Sequence, residues 1–179
     1  KEWKELQEQF IAAYNMKDNL NHTPTRTQDR NQPYVGQEPR DEMLNEPDTD
    51  FDRFCNQQWV EKIFAKWKNM PGDLLPTQIG DELVFNEDRV QYFDRSQPGD
   101  VLVCEMSRAG KEQVQQILDI ADADAGNWRE TSVEERHQIM YRAANILGQM
   151  RGDLNGCMCA ITGKTIEEAD VEVSEAIDY

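Results

Sequence analysis

The chain has 179 residues, with 19 Lys or Arg against 35 Asp or Glu, so its formal net charge is −16. A field of that sign repels nucleic acid and the anionic inner surface of a membrane. We therefore expect no nucleic-acid partner and no direct membrane binding by this segment. No apolar run approaches the roughly 18 residues needed to span a bilayer. The length allows one domain, or one small domain with a long extension.

The first part of the chain predicts a helix followed by a connector. Residues 1–14 have the apolar periodicity of an amphipathic helix, and its face needs a partner because an isolated helix of this length is marginal in water. Residues 15–50 are polar, carry four prolines and lack any periodicity, which is typical of a connector that crosses a surface between two domains. We divide the chain into a helix with an interdomain connector, residues 1–51, and a second unit, residues 52–179. The apolar face of the first helix consists of Trp3, Leu6, Phe10, Ala13 and Tyr14.

A second helix is predicted over residues 52–69. Trp59, Ile63 and Trp67 repeat at i, i+4 and i+8, and the Met-Pro-Gly sequence at 70–72 ends the pattern.

Extended segments follow the second helix. Residues 75–79 and 82–85 flank the pair Gly80-Asp81, which signals a two-residue hairpin. Two more short extended segments, 89–94 and 101–104, lie on either side of a Pro-Gly turn. We expect a small antiparallel β-meander here.

The last third of the chain predicts three consecutive helices, preceded by a helix over 110–123. Thr131 with Glu134, and Thr165 with Glu168, match the Thr-x-x-Glu capping box that starts a helix. Gly152 interrupts the first helical pattern, and Gly163 stops the second. The three stripes predicted to be buried are Ile139, Ala143, Ile146, Leu147 and Met150, then Leu154, Cys157, Met158 and Ile161, then Ala169, Val173, Ala176 and Ile177.

Few residues carry a pattern that indicates chemistry. The four cysteines and two histidines lack metal-ligand spacing, so we interpret the thiols as small apolar fillers in a reducing cytoplasm. A cysteine nucleophile would need an activating base or a helix N-terminus, and Cys157 and Cys159 lie within a predicted helix. The residues in question are Cys55, Cys104, Cys157, Cys159, His22 and His137.

Two further patterns have simple structural explanations. Gly163-Lys164-Thr165 imitates the end of a P-loop, but position 158 is Met where that loop requires glycine. The acidic side chains of the last helix are interpreted as a mostly solvated face. They are Glu167, Glu168, Asp170, Glu172, Glu175 and Asp178. The residues alone therefore predict a helical layer with a β-meander and no complete active site.

Five motifs follow one another in the last third of the chain: Trp128, Glu134-Glu135-Arg136, Ala143-Ala144-x-x-Leu147, Gly163-Lys164-Thr165 and Glu168-Ala169-Asp170-x-Glu172-Val173-x-Glu175-Ala176-Ile177-Asp178. In this order they resemble the N-terminal region of the aldehyde dehydrogenase superfamily. The acidic motif of the last helix is similar to the form found in Δ1-pyrroline-5-carboxylate dehydrogenases, also called L-glutamate γ-semialdehyde dehydrogenases. Residues 45–51, NEPDTDF, resemble the segment upstream of that module in bifunctional proline utilisation A. The resemblance covers about residues 44–179, and Ile161 stands where the family usually has an acidic residue.

The resemblance implies an α/β fold, α+β within this segment, that opens an aldehyde dehydrogenase-like domain. It implies a parent enzyme of proline catabolism that oxidises glutamate γ-semialdehyde to glutamate with NAD, and FAD if a proline dehydrogenase barrel precedes the segment. In that family a cysteine attacks the aldehyde and hydride passes to the nicotinamide. Neither that cysteine nor the glycine motif for NAD matches a position here, so we expect this chain to bind no cofactor and to be inactive alone.

Glu175 is the one site residue that the resemblance carries over. A glutamate of that helix reaches towards the substrate pocket in the subfamily, where it would face the amino group of the semialdehyde. The alternative for Glu175 is an ordinary surface carboxylate.

The chain starts at Lys1 and ends in mid-pattern at Tyr179, so we expect a fragment of a longer cytoplasmic protein. Its partners would then be the rest of its own polypeptide and, for the parent, further copies in a homo-oligomer. A different class of function is a non-catalytic, acidic helical interaction module that docks a partner through the Trp3/Phe10 and Trp59/Trp67 stripes. A third possibility, overlapping the first, is a linker that shields a channel between two active sites.

Overall fold

The computed structural model describes residues 2–20, 26–36, 44–68, 70 and 72–179. The predictions that involve Lys1, His22, the helix end at Asn69 and the stop at Pro71 lie outside these residues.

Every predicted helix is present in the described part of the chain. The helices are α1 Glu2–Asn15, α2 Phe54–Trp67, α3 Lys111–Ala123, α4 Val133–Gln149, α5 Arg151–Thr162 and α6 Ile166–Asp178. Short 3-10 helices cover Lys17–Asn19 and Trp128–Glu130. The strands are β1 Asp73–Leu75, β2 Thr77–Ile79, β3 Glu82–Val84, β4 Arg89–Phe93 and β5 Leu102–Ser107. Helices and small sheets together confirm the expected mixed α/β class.

The strands do not form one antiparallel meander, which corrects the prediction. β5 is the centre of a three-stranded sheet, with β4 antiparallel on one side and β1 parallel on the other. Strand periodicity locates strands but not their partners, and a parallel pair needs a long connection, which β2, β3 and β4 provide here. Pro76 separates β1 from β2 because it has no N–H to donate to a ladder.

The predicted hairpin is confirmed. β2 pairs antiparallel with β3, with Ile79 opposite Glu82, so the loop consists of Gly80 and Asp81. Gly80 has a φ of 58°, the left-handed region that a type II′ or I′ turn requires at its first central position.

The start of α4 lies one residue later than predicted. Ser132, not Thr131, caps the helix: its Oγ accepts the Glu135 N–H at 3.2 Å, and Glu135 Oε2 accepts the Ser132 N–H at 3.0 Å. The Thr131 hydroxyl instead donates to the Asn127 carbonyl at 3.0 Å, which closes the preceding turn. Both Thr131 with Glu134 and Ser132 with Glu135 match a capping box, and the side-chain geometry selects the second pair.

The Trp59/Ile63/Trp67 stripe of α2 packs against glycines of α5. Ile63 is buried and both tryptophans are half-buried. A Cβ on Gly156 would lie 2.1 Å from Trp67 Cδ1, and one on Gly152 would lie 3.4 Å from Trp59 Cζ2. Gly152, predicted to interrupt the helix, therefore lies inside α5 at a close helix contact, and the break between α4 and α5 falls at Met150.

Several predicted apolar faces remain exposed in the described chain. Trp3 of α1 is 79% exposed and Ile146 of α4 is 53% exposed, while α1 and α3 contain no buried residue. An apolar stripe indicates that a face can be covered, not which segment covers it. The burial predicted for the α4 stripe is therefore wrong within the described residues, and the partner that α1 was predicted to need is not found among them.

The buried face of α5 also differs from the prediction. Arg151, Asn155 and Cys159, spaced by four residues, are buried together with Gly156 and Ala160. The predicted stripe is only half-buried. The largest fully buried side chains in the described chain are all polar: Asn56, Asn155 and Asp170.

Part of the predicted surface connector is interior. Glu46 and Thr49 are buried, and both bond to residues beyond position 150. These contacts cross the proposed boundary between residues 51 and 52, and the division into two units stays a prediction. None of the described helices has the length and apolar character to cross a bilayer.

Substitution at Gly156 tests the α2–α5 contact. We expect Gly156→Ala to lower the free energy of unfolding by about 1–3 kcal/mol, because the added methyl overlaps the Trp67 indole. Chemical denaturation measures the change. Gly152→Ala is the matched control in the same helix, and it should stay within about 1 kcal/mol of wild type because its Cβ meets ordinary contacts. Equal effects of the two substitutions would contradict this packing.

Candidate functional site

Helix α6 has a polar face that is turned inward. Its start follows the predicted capping box, with Thr165 Oγ1 accepting the Glu168 N–H at 3.3 Å. Asp170 and Ser174 lie one turn apart and are buried, and Asp178, one turn further, is half-buried. Asp170 is 0% exposed, so the prediction of a solvated acidic face is wrong at that position.

Arg151 contacts two residues of this polar face, Asp170 and Ser174. It is the first residue of α5 and is 2% exposed. Its Nη1 lies 2.9 Å from Asp170 Oδ1, its Nη2 lies 2.9 Å from Glu46 Oε1, and both donate to Ser174 Oγ at 3.2 Å. One guanidinium therefore joins α5, α6 and the segment around residue 46.

The segment from Asn45 to Thr49 runs antiparallel along α6. At one end, Asp178 Oδ1 accepts the Glu46 N–H at 2.6 Å and Oδ2 accepts the Asn45 side-chain amide at 2.8 Å. At the other end, Asp170 Oδ2 accepts the Thr49 N–H at 2.7 Å and Oδ1 accepts its hydroxyl at 2.9 Å. Eight helical residues rise about 12 Å, and three extended residues span about 10 Å. The distance between the two aspartates along α6 is therefore similar to the distance between the Glu46 and Thr49 N–H groups.

Arg30 completes a buried set of four charges. We call Arg30, Glu46, Arg151 and Asp170 the charged cluster. Arg30 donates through Nε to Thr49 Oγ1 at 2.9 Å and through Nη2 to the Pro47 carbonyl at 2.7 Å, and its Nη1 lies 3.4 Å from Glu46 Oε1. Two positive and two negative side chains balance one another, which a buried site requires.

Burial and neighbouring charges shift the pKa values of Asp170 and Arg30 in the cluster and of the adjacent Tyr34. Burial raises the pKa of Asp170, but the Arg151 charge and the hydrogen bonds from Thr49 outweigh it, so the pKa lies below its ordinary value. Burial lowers the pKa of Arg30, with the charge of Arg151 acting in the same direction. Burial and the adjacent Glu46 carboxylate raise the pKa of Tyr34 to about 12. Near neutral pH, Asp170 is therefore ionised and Tyr34 is neutral.

A cleft of about 580 Å³ opens beside the charged cluster. The Tyr34 ring lies on one wall against Gly148, where a Cβ would come within 2.3 Å of Tyr34 Cε1. Arg30, Glu46 and Arg151 also line the cleft, and their charged atoms are already paired with one another. Arg151 Nε and Gln28 Oε1, from two residues that line the cleft, are buried without a hydrogen-bond partner among the described residues.

Glu175 lies on the solvent side of α6, directly after Ser174. Within the described residues, its side chain has no hydrogen-bond or ion-pair partner. The structure thus brings Asp170, Ser174 and Asp178 into the interior and leaves Glu175 available, while its role stays a prediction.

The P-loop-like sequence at 163–165 does not form a phosphate-binding loop in the structure. Lys164 forms an ion pair with Glu172, and Thr165 caps α6, so both side chains of the P-loop-like sequence are engaged. Burial raises the pKa of Cys104, Cys157 and Cys159, which disfavours the thiolate. No group of three or more His, Cys, Asp or Glu in the described ranges is placed to hold a metal ion.

The sequence patterns missed the charged cluster. Its one local signal was the four-residue spacing of Arg151 with Asn155 and of Asp170 with Ser174, which equally fits a solvated face. The Arg151 partner Glu46 lies 105 residues earlier in the chain, so no local pattern connects them.

The aldehyde dehydrogenase family model matches residues 86–179, more than half of the chain. The chain therefore belongs to the aldehyde dehydrogenase family. The matched region begins just before β4 and includes α3 to α6.

Curated relatives with similar sequences share one name. The 1-pyrroline-5-carboxylate dehydrogenase of Bacillus mycoides (strain KBAB4) is 30% identical over 135 residues, which are 75% of this chain and 26% of the relative. The enzyme of the same name from Bacillus pumilus (strain SAFR-032) gives the same identity and coverage. This chain spans about a quarter of the length of the curated relatives it matches.

Solved structures agree with this fold. A Thermus 1-pyrroline-5-carboxylate dehydrogenase with bound NAD has a TM-score of 0.71 and 25% identity, covering 80% of this chain and 27% of that one. Proline utilization A from Bdellovibrio bacteriovorus, inactivated by N-propargylglycine, has a TM-score of 0.72 and 24% identity, covering 80% of this chain and 15% of that one. The second likeness shows a shared fold.

Removing one charge of the cluster should be costly. We expect Asp170→Asn to lower the free energy of unfolding by about 3–5 kcal/mol, because it leaves two buried guanidinium groups with one carboxylate. Glu172→Gln in the same helix removes an exposed ion pair with Lys164 and should cost less than about 1 kcal/mol. Urea unfolding of both variants measures the difference, and similar small losses would contradict a tightly coupled cluster.

Acid should weaken the fold in part through Asp170. Its pKa is lower in the folded chain than in the unfolded chain, so its contribution is present above the unfolded value of about 3.9 and is lost as pH falls through the folded value. Unfolding measured from pH 5 downwards should therefore show a steeper loss of stability for wild type than for Asp170→Asn. Parallel curves would contradict the assignment.

Proposed function

We propose that this chain is the opening segment of an NAD-dependent L-glutamate γ-semialdehyde dehydrogenase, which oxidises that aldehyde to glutamate in proline catabolism. The observation that carries the proposal is the family match over residues 86–179. The name 1-pyrroline-5-carboxylate dehydrogenase, shared by relatives 30% identical to this chain, supports the substrate.

In this proposal the chain supports the active site of the complete enzyme and lines one side of its substrate pocket. The nucleophilic cysteine and the dinucleotide site belong to the part of the family that these 179 residues do not represent. NAD bound there would accept the hydride from the substrate. The described residues instead fix α6 between α5 and the 45–49 segment.

Glu175 is the proposed substrate contact. An exposed carboxylate without a partner in the described chain can pair with the ammonium group of the semialdehyde. Its position on α6, which buried charges hold against α5 and the 45–49 segment, gives it a defined orientation.

Other features of the parent protein follow from the same proposal. The likeness in fold to proline utilization A supports a preceding proline dehydrogenase with FAD. We propose that the partners are the rest of the polypeptide and further copies in a homo-oligomer, with no nucleic acid and no direct membrane contact by this segment. We place the parent in the cytoplasm, where the four free cysteines would stay reduced.

A non-catalytic interaction module is the second candidate. The α1 face favours it, because Trp3 and Phe10 are both more than 70% exposed. The Trp59/Trp67 stripe no longer supports it, since those rings pack on α5.

Cofactor binding and activity together test the first proposal. Titration calorimetry with NAD should detect no binding to the 179-residue chain, because it lacks a phosphate-binding loop. The complete polypeptide that contains this segment should reduce NAD when supplied with glutamate γ-semialdehyde, as followed by NADH absorbance. NAD affinity of this chain alone, or a complete polypeptide inactive on this aldehyde, would contradict the proposal.

A further inference from the structure

The buried face of α6 fixes the position of the helix at three successive turns. Asp170 binds Thr49 and Arg151, Ser174 binds Arg151, and Asp178 binds Glu46 and Asn45. Two of these contacts are to backbone N–H groups of one extended segment, so the backbone of that segment sets the spacing of the two donors. We call Asp170 and Asp178, with the 45–49 segment between them, the aspartate clamp.

The clamp restrains both rotation and sliding of the helix. Successive helical residues are about 100° apart around the axis. A rotation that moved Glu175 would carry Asp170 and Asp178 away from the Thr49 and Glu46 donors together. A shift along the axis would break the match between the two spacings.

Such a contact specifies register more than it adds stability. A buried ion pair gains little over an apolar pair of similar volume, because desolvation offsets the attraction. The same groups make other arrangements costly, since a displaced Asp170 would leave the buried Arg151 with Glu46 as its one carboxylate partner in the charged cluster.

From these contacts we infer that Asp178 is a positioning residue, which through the clamp orients Glu175 towards the amino group of the aldehyde substrate. This inference rests on the proposed function. Asp178 is the better member to test because it is half-buried, whereas Asp170 is fully buried and belongs to the charged cluster. It does not contact substrate in this scheme, and its effect passes through the helix backbone.

The test uses steady-state kinetics of the complete polypeptide. Asp178→Ala removes the acceptors of both the Glu46 N–H and the Asn45 amide. We expect KM for glutamate γ-semialdehyde to rise about tenfold with KM for NAD unchanged, because a misplaced binding group weakens only its own contact. Simple loss of folded enzyme would lower kcat and leave KM unchanged, so the KM change separates positioning from stability.

A double-mutant cycle identifies the route of the effect. Glu175→Gln should raise the same KM, and adding Asp178→Ala to it should produce no further rise, since both substitutions remove one interaction. Asp178→Asn should recover most of the wild-type KM, because its amide keeps one acceptor and the Asn45 amide can turn to meet the other atom. Glu172→Gln, on the same helix and away from the clamp, is the matched control.

A further variant approaches the clamp from its other side. Asn45 is exposed, and Asn45→Asp sets a carboxylate against Asp178 without changing α6. It should raise KM for the aldehyde by a smaller factor than Asp178→Ala, and it provides the measurement if Asp178→Ala does not fold.

The outcomes separate the two proposals. An active wild type whose KM is unchanged in Asp178→Ala and Asn45→Asp overturns the positioning role and leaves the proposed function standing. An equal rise in KM with and without Glu175 shows that Asp178 does not act through that residue, which also overturns the inference. A wild-type polypeptide inactive on the aldehyde overturns both.

Discussion

The position of one guanidinium between two carboxylates organises this part of the molecule. Arg151 cannot be buried unless Glu46 and Asp170 accompany it, because an isolated charge in the interior is far too costly. That requirement brings an early extended segment against the last helix and explains why two polar stripes face inward. The apolar core around it is small, with Ile63, Val103 and Val173 among its larger members. Polar contacts therefore determine much of how the 45–49 segment, α5 and α6 pack together.

Helices were predictable because each carries its own evidence. The capping box predicted at Thr165 is confirmed, and the cap predicted at Thr131 lies one residue later, at Ser132. Both signals act within a turn or two of the chain. The partners of those helices were not predictable, since an inward polar stripe and a solvated one have the same spacing. Asp170 is the clearest example: its neighbours in sequence are acidic, and its hydrogen-bond partner Thr49 is 121 residues away. The parallel pairing of β1 with β5 escaped prediction for the same reason.

The candidate site contains residues that fix the position of α6 and one residue, Glu175, that could contact a substrate. Arg151, Asp170 and Asp178 bond to other residues of the chain, and the Glu175 side chain has no partner among the residues that the structure describes. The resemblance to a family placed Glu175 near substrate, but only the structure shows that the adjacent face of its helix is immobilised by charge. Exposed apolar faces on α1, α3 and α4 fit a chain that represents about a quarter of the length of its relatives. Their chemistry is that of packing surfaces, not of a reaction centre.

The distance in sequence between the clamp partners has a consequence for how the chain folds. Glu46 precedes Asp178 by 132 residues, so closing this contact orders a very long loop. At a synthesis rate of roughly 5–20 residues per second, residue 46 waits on the order of 7–26 seconds before residue 178 is made. The waiting segment contains Asn45, Glu46 and Asp48, and its polarity keeps it soluble while it has no partner. An apolar strand of the same length would be prone to aggregate during this delay. The polar 45–49 segment can remain in water until α6 is made.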